Sequence, residues 1–398
     1  MSTMAHSVST PVPPVTPPVT PPVTPAATSS VASFVATSVA SSVVPATDRA
    51  AWSPAARPGA WLVLALLGAL AVSVQFGAVP VGGSAWLAPF ASFASDRDAP
   101  LSGGAYVLWD LRLPRALLAA TVGAALGLAG ALAQGLFRNP MADPTLLGVT
   151  SGAACAAALV LTVFAGLQMA VPQAWRLWVL PVAAFSGALA VCWSLDRLAR
   201  WLTPGSVAGL LLTGLALQAL TMAIVGLCTA VATDEQLRSL SFWTLGSLGG
   251  ANWLVVGVMG TALALVTTRI GALARALNAL ALGEAAAGHV GIDVARLRQQ
   301  VVVAVALLSA LAVAWCGVIG FIGLMAPHLV RVTAGPDQRR VLPLAMGAGA
   351  LLLLGADTVA RTVAIPAEVP VGIFTALIGA PVFLAMLRRV ARHQGGAV

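Results

Sequence analysis

Lysine is absent from this chain, since all 21 of its basic side chains are arginines. A Walker A loop needs a lysine to contact the nucleotide phosphates, so the chain does not hold a standard P-loop ATPase. Charged residues are also scarce, at 9% of 398 residues, whereas a soluble domain has about a quarter. With 59% hydrophobic residues and a mean hydropathy of +0.93, this scarcity predicts an all-α integral membrane protein.

Metal-binding and nucleic-acid-binding patterns are missing as well. The arginines lie at the ends of apolar segments and form no basic stripe, so we expect no nucleic-acid partner. No CxxC pair occurs, and no metal or other cofactor is expected. The four cysteines all fall inside apolar runs: Cys155, Cys192, Cys228 and Cys316.

The first 55 residues differ in composition from the rest. They repeat the sequence PPVT and are rich in Pro, Ser and Thr, so they cannot bury a core, and we expect a disordered extension. They lack the charged start and compact apolar core of a signal peptide. The predicted organisation is an extension over 1–55, a transmembrane domain over 56–392 and a short tail over 393–398.

Hydropathy predicts ten membrane-spanning helices. Ten spans put both termini on one side, and that side then holds fifteen of the 21 arginines. An arginine excess of this kind marks the cytoplasmic side. The predicted spans are 61–79, 116–137, 145–167, 177–195, 207–231, 253–266, 299–317, 320–332, 341–360 and 371–387.

The second span shows the pattern most clearly. Arg112 and Arg115 flank a proline before it, and the polar segment 138–144, which contains two prolines, ends it. Gly123 and Gly127 have the GxxxG spacing that lets neighbouring helices approach closely.

The longest internal polar segment contains residues 277–298, called the coupling segment below. Its sequence predicts a short helix over 278–287 that ends at Gly288, a turn through Gly291 and a second short helix that Asp293 caps. Short helices with small faces suit a docking surface for a cytoplasmic partner. A solvated connecting loop fits the same pattern.

Several motifs occur together along the chain. RLPR precedes GxxxGxxGxxxQxxxRNPxAxPxxLG, and LxLGExxAxxxG, GxIGFIGLxxPHxxR, ADxxAR and ExPVGxxTALIGAPxFL follow. In this order they resemble the FecCD/BtuC-like family, permease subunits of ABC importers for iron-siderophores, heme and vitamin B12. Residues 233–253 are most similar to the heme permeases. The resemblance implies a type II ABC importer permease fold.

The resemblance also implies partners and site residues. Such permeases act as dimers, each copy paired with a cytoplasmic ABC ATPase that seats on the coupling segment. It therefore assigns ATPase coupling to Gly283, Glu284, Gly288 and Gly291. On the outer face it assigns docking of a periplasmic or extracellular substrate-binding protein to Arg112, Arg115 and Arg361. Arginines at a membrane interface also snorkel toward water without any partner.

The fifth and tenth spans line the translocation pathway in this family. The residues that this assigns to the pathway are Thr213, Gln218, Thr221, Met222 and Thr375. His328 and His289 are interpreted as packing or capping residues and not as heme ligands.

The sequence thus predicts a permease, without an ATPase site of its own, for heme or another iron chelate such as a ferric siderophore. A cobalamin permease of the same family is the first alternative. An ion-coupled secondary transporter is a weaker one, because it needs ionisable groups at membrane depth and the predicted spans hold almost none. An intramembrane enzyme lacks support, since no HExxH motif and no Ser–His pair is evident.

Overall fold

The computed structural model of the chain describes residues 58–77, 79–88, 103–203, 206–365 and 367–395. All regular structure in those ranges is helical, which confirms the predicted all-α class. The predicted N-terminal extension over 1–55 lies outside the described residues, as do residues 396–398 of the predicted tail.

The larger helices are numbered here in chain order, apart from short helical pieces at 83–88 and Pro144–Leu147. They are α1 (Pro58–Gln75), α2 (Gly103–Phe137), α3 (Val149–Leu161), α4 (Ala165–Ala170), α5 (Gln173–Leu202), α6 (Val207–Val231), α7 (Asp234–Thr244), α8 (Trp253–Thr267), α9 (Ile270–Ala281), α10 (Glu284–His289), α11 (Val294–Cys316), α12 (Ile322–Ala334), α13 (Gln338–Ala360) and α14 (Val371–Gly395).

Five of these helices are long and apolar enough to cross a bilayer, namely α2, α5, α6, α11 and α13. Helices α8 and α9 together form a sixth candidate, bent by 53°. Four shorter apolar helices, α1, α3, α12 and α14, occupy the remaining predicted positions. An apolar helix therefore coincides with each of the ten predicted spans.

The helix α2 begins earlier than the hydropathy predicted. It starts at Gly103, and its turns from Val107 to Arg112 are π-helical. Pro114 lies two residues after Arg112 and has no N–H to donate to the preceding turn, which fits a widened turn at this point. The two arginines predicted as a polar threshold before the span are therefore part of the helix itself.

A second polar stretch also proved helical. Residues 233–238 follow α6 and hold three charged side chains, and α7 begins there with a capping box. The Thr233 hydroxyl accepts from the Gln236 amide, and the Gln236 side chain accepts from the Thr233 amide. This arrangement pairs backbone groups that the start of a helix otherwise leaves unpaired.

Close backbone contacts hold α13 and α12 against α2. A Cβ atom at Gly123 would overlap the carbonyl oxygen of Gly349, and one at Gly127 would overlap that of Ala345. The predicted GxxxG approach is confirmed, and its partner is α13. Gly130 makes the equivalent approach to Gly323 on α12.

Gly130→Ala is expected to destabilise this packing by about 1–3 kcal/mol, because the added methyl group meets backbone that cannot rotate away. A lowered thermal unfolding midpoint in detergent would show it. Gly257→Ala on α8 is the matched control, since no atom lies within 4 Å of its Cβ position. Equal midpoints for the two variants would contradict tight packing at Gly130.

Candidate functional site

Five charged residues gather where the C-terminal end of α13 meets α2, and they are called the arginine cluster below. They are Arg112, Arg115, Asp357, Arg361 and Glu368. Arg115 is the central one: its Nη2 lies 2.9 Å from the Asp357 carboxylate, and its Nη1 lies 2.8 Å from that of Glu368. Asp357 is fully buried, whereas the Glu368 side chain is 53% exposed.

The other two arginines bind the C-terminal end of α1. Arg112 donates to the carbonyls of Val74, at 3.2 Å, and Gln75, at 3.0 Å. Arg361 donates to the carbonyl of Phe76 at 3.1 Å and to the Ser73 hydroxyl at 2.7 Å. The last carbonyls of a helix lack partners within it and carry partial negative charge. The two guanidinium groups therefore cap α1.

These contacts bear on the predicted docking residues. Arg112 and Arg361 are buried, and Arg115 is 13% exposed in its side chain. The structure brings the three together, as the resemblance implied, but each one already has partners within the chain. Their docking of a second protein stays a prediction, and Glu368 is the most exposed charge beside them.

Sequence reasoning missed both acidic partners. Asp357 and Glu368 belong to the quoted motifs ADxxAR and ExPVG. An arginine at the end of an apolar span needs a counter-charge if it is buried. The acidic residues inside these two motifs were therefore the signal from which the partners could have been predicted.

At the other end of α13, the coupling segment is folded differently from its prediction. The expected single helix over 278–287 is wrong: α9 ends at Ala281, and α10 runs from Glu284 to His289. Gly283 separates them with φ 114°, and Gly291 follows α10 with φ 81°. Residues other than glycine are strained at such backbone angles. These two glycines therefore set where α10 is separated from α9 and where the chain turns after it. Gly288 lies inside α10 and does not end it.

Asp293 caps a helix as predicted, but that helix is the long α11. Its side chain accepts a hydrogen bond from the Arg296 amide at 3.0 Å. Arg298 on α11 pairs with Glu284 at 3.2 Å and so ties α10 to α11.

The surface of the coupling segment is apolar at two prominent points. Leu282 is 81% exposed and Val290 is 68% exposed, while Ala287 between them is buried. His289 lies on this surface, and its Nδ1 contacts the Ala285 carbonyl oxygen at 2.7 Å. Leu282 and Val290 are the two most exposed large apolar side chains of the coupling segment.

A pair of side chains joins the coupling segment to the start of α13. Asn278 on α9 donates from Nδ2 to the Asp337 carboxylate at 2.6 Å, and its Oδ1 accepts from the Gln338 amide at 2.9 Å. The Asp337 carboxylate also accepts from the Arg339 amide, and these hydrogen bonds lower its pKa. We call this contact the Asn278–Asp337 junction.

The predicted pathway residues divide into two groups. Thr213, Thr221 and Thr375 are buried, and each hydroxyl donates to a carbonyl of its own helix. Gln218 and Met222 are exposed and lie one turn apart on α6. Only these two present side chains at the surface of the chain, and lining of a pathway stays a prediction for all five.

In the part of the chain that the structure describes, no three His, Cys, Asp or Glu side chains lie so that they could hold one ion. His328 lies inside α12 and is partly buried. Its predicted packing role stays a prediction.

Comparison with known proteins bears on this helical arrangement. The profile of the FecCD transport family matches residues 62–389. The chain belongs to the FecCD transport family. Among FecCD relatives, the hemin transport system permease protein HmuU of Yersinia pestis is 45% identical over 73% of this chain and 85% of its own length. The cobalamin import system permease protein BtuC of Halobacterium salinarum is 40% identical over 80% of this chain and 84% of its own.

A solved structure shares the fold of this FecCD chain. It is described as a metal-chelate type ABC transporter in an inward-facing conformation, is 31% identical, and has a TM-score of 0.70. The match covers 83% of this chain and 98% of that one. Family, relatives and structure agree that the chain is a multi-pass membrane permease of the ABC-importer type.

Proposed function

We propose that this permease moves heme or another iron chelate, such as a ferric siderophore, across the inner membrane. A separate cytoplasmic ATPase drives it, and a substrate-binding protein delivers the cargo. Two copies of the chain form the pathway between them. One observation carries the proposal: the coupling segment with exposed Leu282 and Val290 lies at one end of α13, and the arginine cluster lies at the other end.

The coupling end supports an external motor. Leu282 and Val290 stand out from a segment that the two glycines and the Glu284–Arg298 pair hold in place. The absence of lysine from the chain removes a Walker A site. The ATPase site therefore belongs to the partner, and the coupling segment and both termini face the cytoplasm.

Leu282→Ala is expected to weaken ATPase association about tenfold, because most of the apolar surface that the leucine side chain would bury against the partner is lost. Co-purification at graded ATPase concentrations measures this. Val363→Ala serves as the matched control, because Val363 is 65% exposed next to the arginine cluster. Equal weakening by both variants would contradict a docking surface at Leu282.

The substrate follows from the relatives and from the apolar walls of α6 and α14. HmuU is named for hemin, and its identity to this chain favours heme. Similarity to BtuC makes a cobalamin permease the second candidate. A bulky chelate suits a weakly polar tunnel that has no group of metal ligands among its described residues.

Uptake by vesicles that contain the permease with its cognate ATPase and binding protein tests the proposal. Heme, a ferric siderophore and cobalamin are offered side by side, with and without ATP. We expect ATP-dependent heme uptake that stops when the ATPase is omitted. Cobalamin uptake alone would replace the iron-chelate assignment, and uptake that follows a proton or sodium gradient without ATP would refute the importer.

A further inference from the structure

We propose that the Asn278–Asp337 junction is a positioning contact through which movement of the coupling segment reaches the arginine cluster, with α13 as the connecting element. This inference rests on the proposed function, since it supposes an ATPase that displaces the coupling segment. It assigns a role to two residues at which the coupling segment meets a spanning helix.

The junction grips the first turn of α13 from two sides. Asn278 accepts from one backbone amide of that turn and donates to the carboxylate that caps it. Asp337 in turn accepts from the Arg339 amide at 2.9 Å. A shift of α9 therefore cannot leave α13 in place without breaking the two hydrogen bonds that Asn278 makes to it.

The helix α13 is suited to carry a shift across the bilayer. Its 23 residues span about 33 Å at 1.5 Å per residue. Pro343 removes one backbone hydrogen bond within α13, but the helix continues through it without a break to Ala360. Beyond it, Gly349 lies against Gly123 of α2, a close contact that keeps the backbones of the two helices together.

The far end of α13 carries Asp357 and leads into Arg361, two members of the arginine cluster. Asp357 is fully buried and pairs with Arg115 on α2, at 2.9 Å, and with Arg361, at 3.5 Å. Arg361 also holds the end of α1. Displacement of α13 therefore changes the contacts among α1, α2 and α13 at the face where the binding protein is proposed to dock.

The test compares variants of the assembled complex of permease, ATPase and binding protein. Asn278→Ala removes both hydrogen bonds that the Asn278 side chain makes at the start of α13. Asp337→Asn keeps an oxygen acceptor and a good helix cap, so it serves as the conservative variant. Asn252→Ala is the matched control, because Asn252 caps α8 away from the junction by accepting from the Val255 amide at 3.0 Å.

Transport per ATP hydrolysed is the main measurement. For Asn278→Ala we expect an intact complex, persistent basal hydrolysis and a fall of about tenfold in cargo moved per ATP, within the usual range of coupling between sites. Asp337→Asn and Asn252→Ala should keep the wild-type ratio. An unchanged ratio for Asn278→Ala, or the same fall for Asn252→Ala, would overturn the proposal.

A second measurement separates coupling from folding. The native cysteines are buried, so a cysteine placed at exposed Val363 reports on the arginine cluster through its labelling rate. We expect ATP to change that rate in the otherwise wild-type complex and to leave it constant with Asn278→Ala. An ATP response that survives Asn278→Ala would refute transmission through the junction. Absence of ATP-driven uptake by the wild-type complex would instead refute the proposed function itself.

Discussion

Replacing Asp357 with alanine is expected to destabilise the permease by about 3–5 kcal/mol, the cost of leaving buried charges without their partner. The Asp357 carboxylate is fully buried and serves two arginines, Arg115 and Arg361. Without it, both guanidinium groups stay in a low-dielectric region with too few acceptors. A large fall of the thermal unfolding midpoint in detergent would measure the effect.

Glu368→Ala provides the contrast within the same cluster. Glu368 pairs with the same Arg115, but its side chain is 53% exposed, and exposed pairs contribute about 0–1 kcal/mol. A small shift for Glu368→Ala beside a large one for Asp357→Ala would show that burial decides the energy. Similar shifts for both would mean that water reaches Asp357.

Most of the helical architecture could be predicted because it depends on local composition. Each apolar run is long enough for a helix, and the glycine spacing on α2 indicates a close neighbour. The spacing does not say which helix the neighbour is. Gly349 lies more than two hundred residues further along the chain, and only the folded chain brings it to Gly123.

The candidate site could be predicted less well, because its charges depend on distant partners. Arg112 is at the edge of an apolar run in the sequence, a position that predicts an exposed side chain. In the structure its side chain points inward and donates to the carbonyls of α1. The π-helical turns that carry it could not be predicted either, since Pro114 fits a widened turn but does not specify one. The break at Gly283 was missed for a different reason: alanine-rich sequence on both sides favours helix, and the left-handed glycine decides the boundary.

Reversing two charges, in the variant Arg112→Glu with Arg361→Glu, is expected to abolish uptake while the ATPase remains bound. The ATPase contact survives because the coupling segment lies at the opposite end of α13, about 33 Å away by helix length. Uptake is lost because carboxylates would face the carbonyls of Ser73, Gln75 and Phe76. The introduced carboxylates then repel the C-terminal end of α1, which the two arginines bind in the wild-type chain.

Arg115→Gln distinguishes docking from capping in that result. Arg115 makes no hydrogen bond to α1 among the described contacts, and buried Asp357 keeps its pair with Arg361 when Arg115 is replaced. If the cluster docks a binding protein, Arg115→Gln should weaken its affinity at least about 30-fold, the effect of removing one partner of a buried charge pair. The labelling rate of a cysteine introduced on α1 should then equal its rate in the otherwise wild-type chain, which would show that α1 stays in place.

The two variants together decide what the arginines do. Weakened binding in Arg115→Gln with α1 in place assigns docking to the cluster and capping to Arg112 and Arg361. Unchanged binding in Arg115→Gln, with α1 released only by the double reversal, makes the arginines structural residues. Loss of the ATPase from the double variant would contradict both interpretations. It would mean that the reversed charges at one end of α13 also disturb the coupling segment at the other end.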